Sequence, residues 1–232
     1  MKSLQVVTPH IECIFNCPFC IAKGHKHDNS FINNYENNYE LWKNNLIDVI
    51  KKNNDLKYVV ITGTNEPMQS RNCVSDIVDI VRSTNGDIQI ELQTRYYKQD
   101  NIYNKIDVVC YSISDVNLLS KIKPMGKIQR YVLIMTDSYN GYNLDEIIKM
   151  IPDSVEQITF KKLINTNGIN KNVDKYIKFH SIDNNTLNKL IDDVNKYNGK
   201  LSIIMDLDCM NCEGRYKIFR EDGKIYNNWE EL

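Results

Sequence analysis

Cys13-Ile14-Phe15-Asn16-Cys17-Pro18-Phe19-Cys20 places three thiols in one short stretch with C-x3-C-x2-C spacing. Thiolates so close together suit an iron–sulfur cluster. One loop reaches three irons of a cubane and leaves the fourth without a protein ligand, open to a substrate or cofactor. The chain has seven cysteines, an odd number that cannot pair completely, and metal ligation or buried free thiols are expected over disulfides. Cys209-Met210-Asn211-Cys212 is a second C-x2-C. A structural zinc site joining that pair to Cys17 and Cys20 is a competing reading. It leaves Cys13 unexplained and needs ligands separated by most of the chain, where structural zinc pairs lie closer together. An auxiliary cluster on Cys209 and Cys212 needs about three thiolates, whereas Cys73 and Cys110 fall on other elements. These four are read as structural thiols, packing as small hydrophobes. His10, His25, His27 and His180 are read as loop residues without a catalytic role.

Apolar runs of strand length alternate with amphipathic helical patterns, the signature of an α/β fold with a largely parallel sheet. Strands are expected over 4–8, 58–62, 88–94, 108–114, 129–136, 155–163 and 201–207, and helices over 39–53, 74–82, 144–151 and 186–197. A hairpin is expected over 216–226 around Glu221-Asp222-Gly223. The cysteines therefore follow the first strand, and Gly63-Thr64-Asn65-Glu66-Pro67 follows the second. Six successive βα units are too few to close a complete barrel of eight. The expected fold is an α/β partial (β/α)6 TIM-like barrel over 1–200, with a C-terminal strand and hairpin over 201–232 packed on it as one domain.

Along residues 87–95 the apolar side chains share one face, and Gln89, Glu91, Gln93 and Arg95 share the other. Helices must cover the apolar face, so the polar one looks into the barrel. Ser112, Ser114, Thr159, Lys161 and Asp206 fall on the same inner surface by the same alternation. Edge strands facing water give the same pattern. If the surface is a lumen, Glu91, Arg95 and Lys161 are candidates to hold a substrate through charge.

Composition narrows the class. With 232 residues, 29 basic against 30 acidic side chains and 42% hydrophobic residues, the chain reads as one ordinary soluble domain. The near-neutral balance gives no argument for a nucleic-acid or anionic-membrane partner. The N-terminus has too short an apolar run for a signal peptide, and no stretch is apolar enough to span a bilayer, so a cytoplasmic location is expected.

The C-x3-C-x2-C spacing, with aromatic Phe19 directly before the third cysteine, resembles the signature loop of the radical S-adenosylmethionine (SAM) superfamily. Gly63-Thr64-Asn65-Glu66-Pro67 is similar to that family's Gly-Gly-Glu-Pro segment, although Thr64-Asn65 stands where many members have glycine. Tyr111-Ser112-Ile113-Ser114 resembles the family's strand end whose serine contacts SAM, and Thr94 ends the third strand in a comparable position. The resemblance implies a [4Fe–4S] cluster on Cys13, Cys17 and Cys20, with SAM chelating the open iron beside Phe19, residues 63–67, Thr94, Ser112 and Ser114. It implies reductive cleavage of SAM and hydrogen abstraction from a small polar, nucleotide or peptide substrate. An electron donor such as flavodoxin or ferredoxin is implied as a partner. Within the family, an activating enzyme for a glycyl-radical protein is the other reading. From a different class, a metal-stabilised binding protein remains.

Overall fold

The computed structural model describes residues 1–24, 33–207 and 216–229. His25, His27, Cys209 and Cys212, and with the last two the zinc and auxiliary-cluster readings, lie outside the described residues.

Among the described residues, nine strands form one sheet: β1 (Ser3–Val7), β2 (Tyr58–Thr62), β3 (Gln89–Thr94), β4 (Val108–Ile113), β5 (Ile128–Ile134), β6 (Val155–Lys161), β7 (Ser202–Asp206), β8 (Lys217–Phe219) and β9 (Ile225–Tyr226). β1 to β7 lie side by side in chain order and pair in parallel. β8 pairs in parallel with the free side of β1, and β9 folds back antiparallel on β8. The expected C-terminal hairpin is thus present, and it extends the sheet beyond β1.

The helices show why local sequence suffices for much of this. α1 (Asn34–Asn37) is a single turn, and α2 (Tyr39–Lys52) begins where the Asn38 side chain accepts the Leu41 amide. Such a cap satisfies one of the amides that a helix start leaves without a partner. α2 buries Trp42, Leu46 and Ile50 at helical spacing, and α3 (Arg71–Thr84) buries Cys73, Val74, Ile77, Val78, Ile80 and Val81. α4 (Leu144–Met150) starts with a capping box between Asn143 and Glu146, which satisfies two orphan donors reciprocally. α5 (Lys171–His180) and α6 (Asn184–Lys196) lie between β6 and β7.

The six expected βα units are not six. Between β3 and β4, and again between β4 and β5, the chain crosses with 3-10 turns, Asn101–Lys105 and Val116–Leu118, and no α-helix. Aromatic bulk takes the helices' place there. The rings of Tyr97, Tyr103 and Tyr131 stand 6.4, 6.2 and 6.1 Å from that of Tyr111, which together with Tyr103 and Tyr131 is almost fully buried. Large rings bury enough area for a short crossover to seal the outer face of β4. α5 was not anticipated, and among the described residues no helix is long and apolar enough to cross a membrane.

Candidate active site at the carboxyl ends of the strands

The parallel strands all end at one rim, and the loops there enclose a cavity of about 460 Å3. Side chains in register build its wall in layers. Gln93, Cys110, Arg130 and Gln157 form one level across β3 to β6, Ser112, Val132 and Thr159 form the next, and Ile134, Lys161 and Asp206 form the level nearest the rim. The polar face of β3 therefore looks into a cavity and not into bulk water, from Glu91 to Arg95. Gln89, one pleat lower, lines a separate hollow at the opposite end of the sheet.

The cysteine loop, which begins after β1, is laid against the segment that leaves β2. Asn16 adopts a left-handed φ of 41°, tolerated by asparagine better than by bulkier residues, and this turns the chain between Cys13 and Cys17. The Cys20 amide donates to the Cys17 carbonyl at 3.2 Å, and the Lys23 amide to that of Cys20 at 3.1 Å. Gln69 braces the loop from outside: its side chain accepts the Ile14 amide and donates to the Glu12 carbonyl, both at 2.9 Å. Cys13, Cys17, Cys20 and Phe19 all line the cavity. Phe19 also packs 6.0 Å from Tyr176 and against the small cluster of Leu163, Val173 and Ile177, which gives α5 its place in the fold. Burial pushes the Cys17 thiol up, against the opposing pull of Arg95.

Residues 63–67 divide their labour. The Glu66 side chain, 4% exposed, accepts from the Thr94 hydroxyl at 2.5 Å and the Met68 amide at 3.1 Å through Oε1, and from the Arg95 amide at 2.7 Å through Oε2. Its carboxylate latches β2's loop to the end of β3 and is spent on protein donors. Burial raises its pKa in spite of those donors. Thr64 accepts or donates at 2.8 Å to His10 Nδ1. Gly63 has no room for a side chain, since a Cβ would lie 2.8 Å from both Thr8 Oγ1 and Asn65 Oδ1.

Thr8 Oγ1 and both polar side-chain atoms of Asn65 are buried without a hydrogen-bond partner among the described residues. A buried polar atom without a partner costs about 1–3 kcal/mol. Three such atoms beside a glycine, next to a cavity, mark a place where a polar ligand group would be satisfied. The residues therefore fit a cofactor with polar functions at this point. Among the described residues, no three His, Cys, Asp or Glu side chains converge as they would on a single metal ion. A cubane spreads its thiolates over separate irons, so three cysteines on the rim of one cavity remain a suitable donor set for it.

Among the other expected site residues, Thr94 and Ser112 line the cavity. Ser114 is buried just behind it, its hydroxyl held by Arg95 Nη2 at 2.6 Å. Arg95 lies against the cysteine loop, with Nη1 3.0 Å from Cys17 Sγ and its guanidinium 5.6 Å from the Phe19 ring centroid. Glu91 is paired with Arg130 at 2.8 Å and also accepts from Gln93 at 3.2 Å. Lys161 stands on the cavity wall, its side chain without a hydrogen bond or ion pair among the described residues. Sequence reasoning missed Arg130, Thr8 and Gln69. For Arg130 the signal was present as alternation along β5, masked by Val132 and Ile134 on the same face. Cys73 is buried on α3 and Cys110 in the cavity wall, and burial holds both thiols protonated. His180, paired with Asp137 at 2.9 Å and stacked on Tyr176, lies on α5 away from the cavity lining.

No protein-family model matches the chain. Over 119 residues it is 31% identical to the uncharacterized protein L649 of Acanthamoeba polyphaga mimivirus, covering 51% of this chain and 38% of that protein. Its structure superposes on that of HemN, the coproporphyrinogen III oxidase of Escherichia coli described as a radical SAM enzyme, with a TM-score of 0.54 and 11% identity. The chain thus spans about two fifths of the length of the one relative and half that of the other. Across 84% of its own residues, this chain shares the fold of the HemN structure.

Proposed function

We propose that the protein is a radical SAM enzyme. A [4Fe–4S] cluster on Cys13, Cys17 and Cys20 would supply the electron that cleaves bound SAM reductively, giving a 5′-deoxyadenosyl radical that abstracts hydrogen from a substrate. The observation that carries this reading is the meeting of the cysteine loop and residues 63–67 at the rim of one cavity, with the unsatisfied side chains of Thr8 and Asn65 beside Gly63. Gly63 keeps that spot open, Asn65 and Thr8 offer hydrogen bonds to the cofactor's polar end, and Glu66 holds the segment in place through Thr94 and Arg95. Phe19 supplies an apolar wall, and Thr94 and Ser112 line the side reached from β3 and β4.

The substrate is a small polar molecule, a nucleotide or a peptide, entering the layered polar wall where Glu91, Arg130 and Lys161 provide charge. That wall favours turnover over the metal-stabilised binding protein, which needs no polar chamber beside its cysteines. The electron comes from a partner such as flavodoxin or ferredoxin.

Anaerobic reconstitution with iron and sulfide, reduction with dithionite and addition of SAM should yield 5′-deoxyadenosine. Absence of cluster absorption, or tight zinc binding in place of iron, overturns the reading.

A further inference from the structure

Arg95 is a cation whose contacts are unusual for its type. Its backbone amide is fixed by Glu66 Oε2 at 2.7 Å, so its Cα is placed before its side chain is considered. The guanidinium then reaches Ser114 Oγ at 2.6 Å through Nη2 and Cys17 Sγ at 3.0 Å through Nη1. Its face covers Phe19, next in sequence but one to Cys17. Among the described residues no carboxylate forms an ion pair with it, although Arg71, Arg82, Arg130 and Arg220 all have one. A guanidinium is a rigid planar fork. With one arm fixed on Ser114, the other is aimed at the sulfur.

We propose, resting on the reading of Cys17 as a cluster ligand, that Arg95 sets the reduction potential of the cluster through an N–H···S bond to Cys17. Potentials of iron–sulfur clusters respond to hydrogen bonds on the sulfurs, to net charge and to solvent exposure. Reduction adds one electron from an external donor, and the added negative charge resides on irons and their sulfurs. A half-buried cation donating to one of those sulfurs stabilises the reduced form more than the oxidised one. Arg95 therefore raises the potential and eases the electron's arrival. The fold sets its position: β3 ends beside β2, and the loop from β2 passes the Glu66 carboxylate to the Arg95 amide.

The experiment is a redox titration of the reconstituted cluster, with the reduced form followed by electron paramagnetic resonance and iron and sulfide counted per chain. The proteins compared are wild type, Arg95→Gln, Arg95→Lys and Ser114→Ala. Replacing only side-chain atoms leaves the amide bond to Glu66 intact. In Arg95→Gln the reduction equilibrium should fall at least about tenfold, which is about 59 mV for a one-electron couple. Arg95→Lys should fall by less, since it keeps the charge and loses the fork. Ser114→Ala, with the guanidinium present but no longer aimed, should fall least. A full cluster at an unchanged midpoint in Arg95→Gln overturns the proposal and makes Arg95 a brace for the loop. Where Arg95→Gln takes up no cluster, Ser114→Ala decides, and an unchanged midpoint there is equally fatal. A wild-type chain that takes up no iron sinks the radical SAM reading itself, which none of the variant outcomes does.

Discussion

The two ends of the parallel strands treat polar groups in opposite ways. At the amino ends, Asp107 gathers three elements. Its carboxylate is paired with Arg82 of α3, accepts the Ile90 amide at 2.8 Å and binds Lys127 at 3.1 Å, while Arg82 also donates to the Ile88 carbonyl at 2.7 Å. At the carboxyl ends, the side chains of Thr8 and Asn65 are buried with no hydrogen-bond partner among the described residues, three thiols share one loop, and an arginine donates to sulfur. Pairing at the base lowers the Asp107 pKa despite its burial, whereas burial at the rim raises those of Cys17 and Glu66. One end consumes its polar groups for stability. The other, apart from the Glu66 latch, holds polar groups in reserve, as expected of the end where parallel α/β folds collect their active sites.

The largest effect should come from removing one thiol at the rim. Cys17→Ala takes away a cluster ligand and should abolish cluster uptake and with it all 5′-deoxyadenosine formation. The urea midpoint of the metal-free chain should shift by less than the equivalent of about 1 kcal/mol, because a half-buried loop thiol contributes little packing. If the metal-free variant were instead strongly destabilised, the rim would be a structural region and the contrast would fail.

Asp107→Asn should show the reverse. It removes charge-assisted bonds to Arg82 and Lys127 and should cost about 2 kcal/mol of stability by urea unfolding, with iron per folded chain unchanged. pH sharpens the test. A carboxyl held low in the folded state contributes stability that is present above its unfolded pKa of about 3.9 and lost as pH falls through its folded value. Glu66, held high, has the opposite sign: its contribution is present below an unfolded value of about 4.3 and lost as pH rises through the folded one. Unfolding midpoints measured from pH 7 down to pH 3 should therefore decline less steeply in Asp107→Asn than in wild type. Parallel declines would remove Asp107 from the account of acid stability.

Strongly periodic segments could be read directly. β2 falls on the expected 58–62 and α2 on 39–53 to within one residue, because Trp42, Leu46 and Ile50 repeat at helical spacing and Val59 and Ile61 alternate. α5 escaped because its burial rests on Val173 and Ile177 alone, while its Phe179 is exposed and most of its other residues are charged or polar. Val173 and Ile177 pack on a satellite cluster and not on the main core. The two helix-free crossovers escaped for a related reason: tyrosines distant along the chain, Tyr97 and Tyr131, supply the cover around Tyr111. Within the site, the cysteine loop and residues 63–67 are local motifs and so are visible in sequence. The contact of Arg95 with Cys17 joins residues 78 apart, and the isolation of Thr8 depends on which groups fail to approach it. Neither has a local signal.

Gln69 gives the smallest effect and the finest test of the contrast. It is a part-exposed side chain whose two bonds, to the Ile14 amide and the Glu12 carbonyl, reach only the cysteine loop. Exposed neutral hydrogen bonds exchange with water at little net gain, so Gln69→Ala should change global stability by no more than about 1 kcal/mol. The same bonds restrain the backbone on either side of Cys13, and their loss frees the first ligand relative to Cys17 and Cys20. Reconstitution should then need more iron and sulfide to reach full occupancy, and the cluster should be lost faster to a chelator, while urea unfolding of the metal-free chain stays near wild type. A variant that kept the cluster as tightly but unfolded earlier would show that even the rim's outer brace serves the fold before the site.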